Sequence, residues 1–278
     1  TRKTLAAALA ALALTAACAE APSPTATARV AHGPSRIVNG SPTGGAYANV
    51  GALLFDYGHD GITGDDEWCT GSLIAPDVFL TAAHCVVTEY TPPGSQFYVS
   101  FSADLFGKGF KSIAATSYVW DPQYGQDQAN LHDLALVFLP KGSTKGMTPL
   151  QLPPAGYLDR LSAQGGLNNA VFVNVGYGVS ANRTGVPQFD FDGKRSYSKS
   201  PFMGLQPTWL GLLMNTSATG LGGDCYGDSG GPKFLDGNPN MILATVTTGD
   251  YNCRATTWDW RLDSPEARGF LGKYLPLP

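Results

Sequence analysis

The chain has 278 residues, 34 of them Gly and 20 Pro, and only 14% are charged, against ~25% in an average soluble domain. So much turn chemistry excludes a helical bundle or coiled coil, and a hydrophobic content of 43% excludes a disordered chain. A net charge of −4 argues against a nucleic-acid binder, and the length provides for one large β domain or two small ones.

In chain order, Arg2-Lys3, the apolar run Leu5 to Ala17 and Ala17-Cys18-Ala19 read as a secretory signal peptide over residues 1–19. A lipoprotein site with Cys18 lipidated is the alternative reading of the same residues. Residues 20–36, with Pro22, Pro24 and Pro34 among small polar residues, read as a propeptide or linker. Residues 1–36 carry Arg2, Lys3, Arg29 and Arg36 against Glu20, so the remainder has a net charge of −7.

From Val50 onward short apolar runs alternate with turn signals. Strands are expected at 50–55, 72–74, 78–82, 97–101, 113–120, 134–139, 171–176, 212–215, 241–247 and 258–262. Their spacing suits a barrel or sandwich rather than βαβ units. One helix is expected at the end, with Ser264 as N-cap, Pro265 at its first position, and Phe270, Leu271, Tyr274 and Leu275 on one face.

In an exported chain, setting Cys18 aside, Cys69, Cys85, Cys225 and Cys253 imply two disulfides with three pairings open. No Cys-x-x-Cys spacing supports a zinc site instead. No metal and no cofactor are expected. The acidic residues Asp60, Asp65, Asp66 and Glu67 fit no Ca²⁺ loop and read as a solvated turn. His32 and His59 read as solvated loop residues, and Asn39, Asn182 and Asn215 open glycosylation sequons.

Three segments carry chemistry: Thr81-Ala82-Ala83-His84-Cys85, His132-Asp133-Leu134-Ala135-Leu136 and Gly227-Asp228-Ser229-Gly230-Gly231-Pro232. Each alone is unremarkable. Together they meet the needs of acyl transfer: a Ser hydroxyl needs a base, and His is that base near neutral pH. The imidazole needs a carboxylate to fix its tautomer, and the oxyanion needs backbone donors such as those of Gly227 and Ser229.

These motifs, in the order His, Asp, Ser, resemble the chymotrypsin/trypsin family of serine endopeptidases across roughly Ile37 to Leu275. The resemblance implies an all-β fold of two packed six-stranded antiparallel barrels with a C-terminal helix, over residues 37–278. It implies a catalytic triad of His84, Asp133 and Ser229. It also implies disulfides Cys69–Cys85 and Cys225–Cys253, and activation by cleavage after Arg36, with the freed Ile37 ammonium pairing with Asp228. Protein or peptide substrates and protein inhibitors are the partners implied, for a secreted monomer.

Pocket residues follow from the same likeness. Gly223 stands where trypsin-like members carry Asp, Asp224 comes next, and Thr247-Thr248-Gly249 forms the facing wall. Two readings are open: Asp224 attracts Lys or Arg before the cut (P1), which is preferred, or it is hydrogen-bonded away and leaves room for large apolar side chains. A catalytically silent binding protein and a serine esterase are the alternatives from other classes. The intact motifs weigh against the first, and the triad order and missing Gly-x-Ser-x-Gly against the second.

Overall fold

The structure is a computed structural model that describes residues 37–182 and 185–278. The expected signal peptide, linker, Cys18, His32 and Arg36 lie outside the described residues, as does part of the Asn182 sequon.

Two seven-stranded antiparallel sheets make up most of the fold among the described residues, with a two-stranded ladder of Ser180–Ala181 and Phe189–Asp190 beside them. In the N-terminal sheet the order is Ile113–Ala114, Phe97–Ser100, Val50–Phe55, Glu67–Ala75, Val78–Thr81, Ala135–Phe138 and Ser117–Trp120. The run expected as one strand over 113–120 is thus split, and its halves sit at opposite edges of the sheet. Only Ala115 and Thr116 join them, and these donate to Phe97 O on one edge and Phe138 O on the other, at 2.9 and 2.8 Å. The sheet must therefore curl until its edges meet, giving a half-barrel without a ladder between the two edge strands.

The C-terminal sheet closes into a six-stranded barrel. Ser196–Leu205, Trp209–Leu213, Thr256–Arg261, Ala244–Gly249, Pro232–Leu235 and Val171–Gly176 follow one another, and the last pairs back onto the first. Ser41–Pro42 extends it from the side. The helix Pro265–Leu271 starts as expected, with Ser264 Oγ accepting the Ala267 N–H at 3.2 Å.

Strand character follows side-chain pattern. Val50–Phe55 is apolar throughout and buried throughout, because it is covered on both faces. Ser196–Leu205 is the instructive exception: its sequence, SYSKSPFMGL, looks polar and gives no strand signal. Its inward face is serine. Ser198 and Ser200 are buried and donate to Gly223 O and Gly222 O at 3.1 and 2.8 Å, while both accept from the Asn174 amide. Hydrogen bonds there do the positioning that apolar packing does elsewhere.

Leu53, Phe79, Phe97 and Val137 fill the N-terminal sheet, and Leu158, Phe172, Leu210 and Leu243 the C-terminal barrel. A third cluster joins Val50, Leu80 and Leu136 to Val173, Phe234, Trp260 and Phe270, so the sheets and the helix share one core. Arg195 adds a polar fastening. Buried, its guanidinium donates to Val50 O, Phe101 O, Ala46 O and the Tyr177 hydroxyl, at 3.0 to 3.2 Å.

Candidate active site

Antiparallel register brings His84 to Asp133. Thr81 pairs with Ala135, so the short 3-10 turn Ala83–Cys85 beyond one strand and Asp133 before the other lie at the same end of the pair. Asp133 is fully buried; its Oδ2 sits 2.7 Å from His84 Nδ1 and its Oδ1 accepts the His84 backbone N–H at 2.9 Å. A buried carboxylate needs such partners. With Nδ1 occupied, Nε2 is the ring nitrogen left for other chemistry. Burial pulls the imidazole pKa down, but the Asp133 charge and hydrogen bond outweigh it, and the net shift is upward from 6.5. His132 anchors the neighbouring backbone: its Nδ1 lies 2.9 Å from Asp121 Oδ2 and its ring lies against Trp260.

Ser229 follows a loop pinned from the other sheet. Thr70 N–H donates to Ser229 O at 2.9 Å, and Thr70 Oγ1 donates to Gly227 O at 2.9 Å. Gly227 has φ +91°, and a Cβ there would stand 2.8 Å from Glu67 Oε2, so only glycine fits. Among the described residues, neither the Gly227 nor the Ser229 N–H donates to a protein acceptor. His84 and Ser229 line one cleft of about 330 Å³, together with Asp224, Thr247, Gly249 and Asp250. A larger apolar groove of about 590 Å³ among Ile74, Leu150, Met241 and Leu277 has no ionisable side chain in its lining.

The disulfides are Cys69–Cys85, beside His84, and Cys225–Cys253, at the cleft. This is the pairing the resemblance implies.

The cleft's carboxylates depart from the preferred sequence reading. Asp224 is not open to a basic side chain: Lys233 Nζ pairs with its Oδ1, and Thr257 Oγ1 lies 2.9 Å from its Oδ2. Lys233 is fully buried, 2.7 Å from Asn174 Oδ1 and 3.4 Å from Asp259 Oδ1. Asp250 accepts the N–H groups of Arg254, Ala255 and Thr256, which tightens the short loop after Cys253. Gly223 is absent from the cleft lining; a Cβ there would collide with Met214 Cγ and Sδ, so its glycine serves packing. Gly249 and Thr247 do line the cleft.

Asp228 is fully buried and accepts from Gly178 N and Cys225 N at 2.9 and 2.8 Å. Burial first, then the Asp224 charge, pushes its carboxyl up to about 8. Ile37 is also fully buried, with its N 3.5 Å from Gly178 O. Glu67, expected in a solvated acidic turn, instead sends its carboxyl toward Gly227 and Asp228. Its Oε1 has no hydrogen-bond partner among the described residues, and burial together with Asp228 raises its pKa well above 4.5. Asp66 and Asp60 remain in the turn, where Asp66 caps Thr63 and the Asp60 N–H goes to Asp56.

Sequence reasoning missed Lys233, Asp259, Asn174 and Glu67. Asp259 sits in a run expected as a strand, and an ionisable residue inside such a run is the signal that could have found it, whereas Lys233 lies in no expected strand.

The trypsin family profile matches residues 55–258, so the chain belongs to the trypsin family. It is 26% identical over 229 residues to a collagenase of Hypoderma lineatum, covering 76% of each chain. It is 27% identical over 193 residues to a trypsin of Phaedon cochleariae, covering 67% of this chain and 70% of that one. The HL collagenase structure superposes with a TM-score of 0.60 at 20% identity, over 87% of this chain and all of that one. A mutant of human heparin binding protein does so at 0.61 and 18% identity, again over 87% and all. The mostly β architecture with its short terminal helix is the chymotrypsin-like fold.

Proposed function

We propose that this trypsin-family protein is a working serine endopeptidase with His84, Asp133 and Ser229 as its triad. The observation that carries this reading is the 2.7 Å contact of His84 Nδ1 with a fully buried Asp133, with His84 and Ser229 lining one cleft. Ser229 Oγ attacks the scissile carbonyl and passes its proton to His84 Nε2. The oxyanion accepts the Gly227 and Ser229 N–H groups. The protonated imidazole then hands its proton to the departing amine, and water releases the acyl group by the same route. Asp133 stabilises the imidazolium throughout.

The protein is secreted, consistent with its two disulfides, and acts as a monomer on protein or peptide substrates, subject to protein inhibitors. It is made as a zymogen: cleavage after Arg36 turns the buried Ile37 amide into an ammonium beside the Asp228 loop. Two carboxyl groups, Asp228 and Glu67, await that charge. For the P1 side chain the apolar reading is favoured over Lys or Arg, because both carboxylates lining the cleft are already engaged.

The test is labelling by a fluorophosphonate probe after limited trypsin treatment, with Ser229→Ala as control. Ser229-dependent labelling is expected only after the cut. No such labelling under any activation condition returns the chain to the binding-protein reading.

A further inference from the structure

Behind the cleft wall, Lys233 is a buried charge that neither the triad nor the activation step uses. Its ammonium is wholly buried and contacts Asp224, Asp259 and Asn174. Thr257 Oγ1 lies 2.9 Å from Asp224 Oδ2 and 3.1 Å from Asp259 Oδ1, so the two carboxyl groups and the ammonium form a closed ring of contacts. Burial outweighs the neighbouring Lys233 charge and raises the Asp259 pKa well above 3.8. Thr257 Oγ1 has one hydrogen to share between Asp224 Oδ2 and Asp259 Oδ1, and its shorter contact is with Asp224. Of the two carboxyl groups around the ammonium, Asp224 makes the nearer contact and is the member of the ring that lines the cleft.

We propose that Lys233 is the specificity-determining residue of this cleft: its ammonium consumes the charge of Asp224, so the cleft takes uncharged side chains and carries a masked site for cationic ones. The physical reason is that a cationic P1 group must leave water, and only an uncompensated anion repays that desolvation. With Lys233 bonded to it, Asp224 offers no net charge. The inference rests on the protease reading for its biological meaning, but its probe requires no catalysis.

Benzamidinium, a planar cation, and benzamide, its neutral counterpart, are titrated against the Ser229→Ala protein cut after Arg36. The wild-type cleft should favour the cation by less than about threefold. Lys233→Met and the more polar Lys233→Gln should each raise that preference at least about tenfold, the scale of one charge-assisted hydrogen bond. Adding Asp224→Asn should cancel the gain, and Lys233→Arg should leave the preference at the wild-type level. In active enzyme, the kcat/KM ratio for Arg against Phe at P1 should move with benzamidinium affinity. A tenfold preference for the cation in wild type overturns the proposal, even if neither Lys233 variant folds. So does an unchanged preference in a folded Lys233→Met or Lys233→Gln. Missing fluorophosphonate labelling with the expected benzamidinium shifts would instead sink the protease reading and leave the masked site standing.

Discussion

Cleavage after Arg36 should change how the protein's stability depends on pH. In the uncut chain Asp228 is buried with two backbone donors and, among the described residues, no cation within hydrogen-bond reach, and its carboxyl is held at about 8 against 3.8 when unfolded. Between those values the folded state keeps a proton that the unfolded state has released. Stability is therefore present at low pH and lost as pH rises, at about 1.4 kcal/mol per pH unit. From pH 5 to pH 7 that is about 3 kcal/mol, or roughly 6–12 °C in Tm for a domain of this size. Glu67 is raised for the same reason and adds to the loss. Once cut, the proposed pairing with the Ile37 ammonium should let the folded Asp228 carboxylate ionise, and this loss should disappear. Calorimetry of Ser229→Ala protein, uncut and cut, at pH 5, 6 and 7 measures it, with the new Ile37 terminus checked by sequencing. The cut also removes Glu20 and His32 and creates the Ile37 amino group, so Asp228→Asn protein, uncut and cut, is measured alongside, and this site's share is the part of the difference that the substitution abolishes. An equal fall in Tm for both forms would refute the reasoning.

His84 must be neutral to act as a base, and its pKa lies above 6.5; activity should therefore fall with decreasing pH through a kcat/KM midpoint above 6.5, and a midpoint below that value counts against the assignment. Asp133→Asn should cut kcat by about 10⁴-fold, because the wrong tautomer then faces Ser229; stopped-time peptide hydrolysis reads this, and a loss below tenfold is incompatible with it. Arg195→Met strands at least three buried carbonyls and should cost about 4 kcal/mol in urea unfolding; a cost below 1 kcal/mol would mean the guanidinium is not a fastening. Thr70→Val removes the donor to Gly227 O and should lower kcat/KM about tenfold or more by loosening the oxyanion donors, with unchanged kinetics as the contrary result.

Local chemistry made much of this protein legible before any fold was known. Strands such as Val50–Phe55 and Val171–Gly176 show as short apolar runs, and the terminal helix shows in Ser264 and Pro265, since these signals act within a few residues. The candidate site residues were legible because each sits in a compact motif that makes sense only with the other two. Lys233 was not, since a lysine beside Pro232 looks like any strand-edge cation until its surroundings are known.

By itself, then, the sequence determined the apolar strands, the terminal helix, the candidate triad, the four paired cysteines and the mostly β class, all features written in neighbouring residues. The tertiary structure alone decided what the charges do. It buried Lys233 against Asp224 and Asp259, 9 and 26 positions away, turned Glu67 from its acidic turn toward Asp228, and faced the serines of Ser196–Leu205 inward. The reason is physical: a charge's effect depends on its partners and on its distance from water, and both are set by residues far apart in the chain.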